Sequence, residues 1–107
     1  MSEINKGGNF FSVDFSKFGK YVQDVRCLSD DLSKRLRIIF KNGYGISVIK
    51  GYGSYGFERG LYEVAPLNKD GGLCGALLWG DGCDDVEGYL SVEDVANYAL
   101  KIAEIKE

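Results

Sequence analysis

An α+β domain is expected of this chain: a small antiparallel sheet of three to four strands, packed by a C-terminal helix, with an N-terminal helix or arm beside it. β-Branched and aromatic residues cluster on either side of Asn42-Gly43 and again after Gly60, as strands joined by turns do. After Ser91, apolar residues recur at helical spacing. The 107 residues, 45% hydrophobic and 13% aromatic, hold enough for one modest core and so for one domain. Within it, residues 1–35 read as arm and helix, and residues 36–107 as sheet plus C-terminal helix.

Residues 1–13 are largely polar, with Gly7-Gly8 and then Phe10-Phe11 and Val13, and they read as a loose arm. From Asp14 or Ser16 as N-cap, Phe15, Phe18, Tyr21, Val22, Val25 and Leu28 recur every three or four positions, which predicts a helix. Gly19 weakens it by ~1 kcal/mol relative to alanine, and Ser29-Asp30-Asp31 breaks it or caps a further turn. Leu36–Phe40 and Gly45–Lys50 then form a hairpin around Asn42-Gly43, both of which are expected at positive φ. Arg35, Arg37 and Lys41 alternate with Leu36, Ile38 and Phe40, so one face of the first strand is basic and the other apolar, the ordinary pattern of a sheet with one solvated side.

Leu61–Leu67 reads as a third strand, with Leu61, Glu63 and Ala65 on one face and Tyr62 and Val64 on the other. Pro66, the only proline, marks an edge or a strand end. Asn68–Gly72 is a turn. Leu73–Trp79, apolar throughout, reads as a fourth strand. The terminal helix is the best marked element. Ser91 is its N-cap, Asp94 completes a weaker capping box, and Leu90 staples onto Val95. Val92, Val95, Ala96, Ala99, Ile102 and Ala103 make its apolar stripe, with Glu93 and Asp94 early and Lys101 and Lys106 late to suit the helix dipole.

Charge is unevenly spread along the chain. Residues 1–60 carry 10 Lys/Arg against 6 Asp/Glu, and residues 61–107 carry 3 against 10, within a net charge of −3. Ordinary solvated surface accounts for such a split, but an electrostatic binding face does too, and the acidic half is the stronger candidate. Cys27, Cys74 and Cys83 are odd in number, form no CxxC pair and have no histidine beside them. Free thiols, acting mainly as small buried apolar groups, suit a reducing cytosol better than a disulfide framework or a zinc site. The first residues carry no secretory-type apolar run, and nothing later reaches the length of a membrane span. A soluble, cytoplasmic protein is expected.

Two motifs invite a ligand. Gly51, Gly53 and Gly56 have the spacing of phosphate-binding loops, yet a strand follows them where a dinucleotide fold needs a helix, and the chain is far too short for a kinase. The same loop carries Tyr52, Tyr55, Phe57 and Arg59, which can stack and neutralise single-stranded nucleic acid, although few basic residues accompany them. The alternative is a flexible loop whose tyrosines pack over the sheet or form a protein-recognition edge. Before the last helix, Asp85, Glu87, Gly88, Leu90 and Asp94 fall in calcium-loop register, but Cys83 stands at the first ligand position and no helix enters the loop. Helix capping accounts for those acids equally well. No cofactor is expected, and no nucleophile–base pair signals an enzyme.

Asn42-Gly43-Tyr44-Gly45, Gly60-Leu61-Tyr62-Glu63 and Asp84-Asp85-Val86-Glu87-Gly88-Tyr89-Leu90 together resemble a family of small, largely uncharacterised bacteriophage proteins with an NGYG turn, a GLYE strand and a DDVxGYL helix-start segment. The resemblance runs from Phe40 to Ile105. It implies a viral origin, action in the host cell cytoplasm and a small accessory role. The expected function is non-enzymatic binding of a host or defence protein through Asp81, Asp84, Asp85, Glu87, Glu93 and Asp94, an acidic face able to imitate DNA phosphates. The alternative is a nucleotide or single-stranded nucleic-acid binder using Tyr52, Tyr55, Phe57 and Arg59.

Overall fold

A computed structural model describes Val13 and residues 15–28, 33–51, 61–80 and 85–106. Five strands lie in the sheet in the order in which they occur in the chain, each neighbouring pair antiparallel: β1 (Val22–Cys27), β2 (Ser33–Phe40), β3 (Gly45–Gly51), β4 (Tyr62–Leu67) and β5 (Glu87–Leu90). A short α1 (Ala76–Trp79) sits between β4 and β5, and α2 (Val92–Ala103) follows β5 after Ser91. The fold is therefore α+β, with five strands where the sequence pattern accounts for three to four.

The interior strands alternate as a half-buried sheet must. Leu36, Ile38 and Phe40 of β2, Ile46 and Val48 of β3, and Tyr62 and Val64 of β4 are buried beneath Val95, Ala96, Ala99, Ile102 and Ala103 of α2. The register Leu36–Val48–Val64 and Ile38–Ile46–Pro66 stacks them in rows across the three strands. Fully burying each large aliphatic side chain contributes about 1.5–3 kcal/mol, and the alanines let α2 approach the sheet closely. On the opposite face the partners are small. Ser47 and Ala65 are buried between longer neighbours, and a Cβ on Gly45 would lie 2.6 Å from the Ile38 carbonyl.

The β2–β3 turn departs from expectation. Gly43 N–H donates to the Phe40 carbonyl at 2.9 Å and Phe40 N–H to the Tyr44 carbonyl at 2.8 Å. Gly43 alone takes positive φ, at 96°, and Asn42 does not. Asn42 instead works through its side chain. Its Oδ1 accepts from Tyr44 N–H, and its Nδ2 donates to the carbonyls of Ile102, Ala103 and Ile105 at 2.9, 3.2 and 3.0 Å. Those carbonyls lie at the C-terminal end of α2, where helical bonding runs out. The Ile102 carbonyl also accepts from Ile105 N–H at 3.1 Å, and the Asn42 amide adds a donor from outside, so Asn42 fastens the hairpin to the helix that covers it.

The helix expected over Phe15–Leu28 is absent. Residues 15–21 turn, ending in a 3₁₀ segment at Gly19–Tyr21, and Val22–Cys27 is the first strand. The misleading signal has a physical source. Val22 lies opposite Phe40 and Val25 opposite Ile38, so an extra residue on β1 places its inward valines three apart instead of two. That extra residue is a β-bulge, and it imitates helical spacing. Phe18 still reaches the core, edge-on to Phe40 with ring centroids 5.9 Å apart. The sheet thus begins at Val22 and not at residue 36.

Leu73–Trp79 is likewise not a strand. Leu73 makes one bridge to Leu67, Cys74 N–H donates to the Pro66 carbonyl, and the chain then coils into α1. Its apolar residues serve helix packing, with Trp79 set edge-on to Tyr98 at 5.7 Å. Pro66 does stand near a strand end. Cys27 is exposed on β1 and Cys74 is half-buried, so the small-apolar role expected of the cysteines fails at Cys27.

Candidate interaction site

The capping box expected at α2 forms. Ser91 Oγ accepts from Asp94 N–H, and Asp94 Oδ2 accepts from Ser91 N–H, both at 3.1 Å. Two other acids of the segment are engaged as well. Asp85 Oδ1 accepts from Gly75 N–H at 2.8 Å, holding the start of α1, and Glu87 Oε2 accepts from the Tyr98 hydroxyl at 2.8 Å. Burial first, and then the hydrogen bond and negative charge of Glu87, push the Tyr98 phenol above its ordinary pKa, so it remains a donor. Glu93 is exposed in the first turn of α2. Asp81 and Asp84 lie outside the described residues.

Asp85 and Glu87 thus stand at the start of β5, and Glu93 and Asp94 in the first turn of the α2 helix that follows it, and together they make up the acidic corner. Asp85, Glu93 and Asp94 are exposed and Glu87 is half-buried. Alanine at Asp85 or Glu87 would remove a fold contact along with a charge. Because the strands follow chain order, the sequence charge split becomes a spatial one. The basic residues of β1 and β2 occupy one side of the sheet, and the acidic corner occupies the other.

One residue of this corner carried no sequence signal. Tyr89 is 58% exposed on β5 and adopts φ 61°, and it is the only non-glycine residue described at positive φ. It sits in a second bulge. Tyr62 pairs with Leu90 and Val64 with Glu87, so β5 has one residue more than β4 over this stretch. A tyrosine in left-handed backbone is strained by roughly 1–2 kcal/mol, and the bulge turns its ring outward.

Tyr52, Tyr55, Phe57 and Arg59 lie outside the described residues. The strand ends flanking them are described. Gly51 pairs with Ser33, Lys50 with Lys34, and Ile49 with Arg35, so three cations stand where that segment leaves β3. The Lys50 ammonium lies 5.0 Å from the centre of the Tyr62 ring, and burial lowers its pKa. Among the described residues no group of three or more Asp, Glu, Cys or His side chains is placed to hold a metal ion. No helix among them is long and apolar enough to cross a membrane.

No family model matches the chain, and neither a curated protein nor a solved structure matches it.

Proposed function

We propose that this chain is a small, non-enzymatic accessory protein of bacteriophage type that binds a host or defence protein in the cytoplasm through its acidic corner. The observation that carries this reading is the placement of Asp85 and Glu87 at the start of β5, and of Glu93 and Asp94 in the first turn of α2, on either side of an outward, strained Tyr89. Backbone strain at an exposed position is commonly kept for function, and tyrosine is favoured at the centre of protein interfaces. The carboxylates supply steering and register toward a basic surface, and DNA mimicry follows where that surface normally holds phosphates.

The test uses amide replacements, which keep the acceptor oxygens that the fold needs. Tagged wild-type protein should retain one bacterial protein from lysate, and duplex DNA should displace it. Asp85→Asn, Glu87→Gln and Glu93→Gln together should abolish retention with the circular dichroism unchanged. Retention that survives the triple change removes the acidic reading.

A second reading, binding of a nucleotide or single-stranded nucleic acid through Tyr52, Tyr55, Phe57 and Arg59, is favoured by Lys34, Arg35 and Lys50 at the root of that loop. They supply cations that the loop itself lacks. Co-purifying material absorbing at 260 nm, lost on Tyr52→Ala with Tyr55→Ala, would support this second function.

A further inference from the structure

Arg37 forms no ion pair with the described residues. It stands on the sheet face opposite α2, directly across from Arg26 on β1 and from Ser47 on β3, and Arg35 lies two residues along the same face. Its side chain is half-buried, and its Nε is shielded from solvent with no hydrogen-bond partner. Arg26, by contrast, holds Asp24 at 3.2 Å. A guanidinium cannot relieve its burial by losing a proton, and a buried donor without an acceptor is destabilising. The position is complete only with an acceptor from outside.

The surroundings say which kind. Cross-strand neighbours stand about 5 Å apart and same-face residues about 7 Å apart along a strand, so Arg26, Arg35 and Arg37 are neighbours on one face of the sheet. The side chains behind them are small, namely Ser47, Ala65 and Gly45. The Asn68–Gly72 turn flanks them: a Cβ on Gly71 would meet Arg37 Nη1 at 3.8 Å, an ordinary contact. One carboxylate is satisfied by one bidentate arginine, whereas a phosphate oxyanion accepts forks from several.

We propose that Arg37, flanked by Arg26 and Arg35, forms an anion site for a phosphate group. The phosphate belongs either to a free phosphate or mononucleotide, or to the backbone of a single strand. The site is separate from the acidic corner, and neither reading depends on the other.

The full chain is titrated at low salt with inorganic phosphate, with a mononucleotide and with labelled oligothymidylate, followed by amide chemical shifts and by fluorescence anisotropy. Binding should occur and weaken with added salt. Arg37→Gln should raise Kd at least tenfold with unchanged circular dichroism. Arg37→Lys should fall between, because it keeps the charge without the fork. Lys17→Gln, a change in a side chain that bonds Asn97 on α2, should alter nothing. Saturation by phosphate or mononucleotide assigns a small ligand. Binding confined to the oligonucleotide, with the salt slope reduced by about 0.7 in Arg37→Gln, assigns a strand. No binding of any probe, or equal affinity in Arg37→Gln, overturns the proposal. Should Arg37→Gln fail to fold, Arg26→Gln with Arg35→Gln, both at exposed positions, must produce the same loss, and unchanged binding there overturns it.

Discussion

The interior strands and the edge strands of this sheet are built differently. β2, β3 and β4 keep a two-residue alternation in unbroken register, while β1 and β5 each insert one residue against their neighbour. The interior strands hold the core, and the edges hold the exposed Cys27, Tyr89 and the Asp24–Arg26 pair. An open edge is a template for pairing with another chain, and short, bulged, charged edges discourage it. Stability is thus concentrated in the middle of the sheet.

The largest expected effect tests that division. Ile38→Ala, in a fully buried interior position, should cost about 2–5 kcal/mol. Val25→Ala on half-buried β1 should cost about 1 kcal/mol. Urea midpoints for the two variants measure the contrast, and equal losses would mean that β1 is as much core as β2.

Next comes the link between the interior hairpin and its cover. Asn42→Ala removes the one side-chain amide that three carbonyls at the end of α2 share and should cost about 1–3 kcal/mol. Asn42→Asp should cost more, because it sets a carboxylate against the negative end of the helix dipole. Faster amide exchange in the last turn of α2 would locate the damage.

At the β5 edge the sign should reverse. Tyr89→Gly removes left-handed strain and should raise stability by about 1 kcal/mol, read as a higher melting temperature, while weakening capture of the protein partner. A fall in melting temperature would show that the Tyr89 side chain is structural.

The smallest effect is a pH dependence. The Tyr98 phenol has a raised pKa in the folded state, so the folded protein holds that proton more tightly than the unfolded chain. This contribution is fully present below the unfolded value of about 10 and is lost as pH rises through the folded value. Alkaline urea titrations should show the loss in wild type and its disappearance in Tyr98→Phe. Lys50, with its pKa lowered by burial, acts with the opposite sign over the same range and remains in both proteins.

The same division explains what sequence made visible. Leu36, Ile38 and Phe40, and then Tyr62 and Val64, announced their strands because nothing interrupts their alternation. Val22 and Val25 were misread because the bulge gave them helical spacing, and Glu87–Leu90 was read as an acidic loop for the same reason. Ser91 and Asp94 disclosed their cap because that contact spans only three residues. Of the acidic corner, the charges were legible, but the hydrogen bonds of Asp85 to Gly75 and of Glu87 to Tyr98 depend on tertiary placement. The same holds for the left-handed backbone of Tyr89 and the partnerless Nε of Arg37.

The position of α2 after the five strands has a consequence for synthesis. β2, β3 and β4 leave the ribosome before the helix that roofs them, and the chain from Leu67 to Ala103 takes about two to seven seconds at ~5–20 residues per second. For that interval Leu36, Ile38, Ile46 and Val48 form a bare apolar surface, and the Asn42 amide waits for carbonyls that do not yet exist. Translation arrested before Ser91 therefore leaves a sticky half-sheet, the natural substrate of a chaperone.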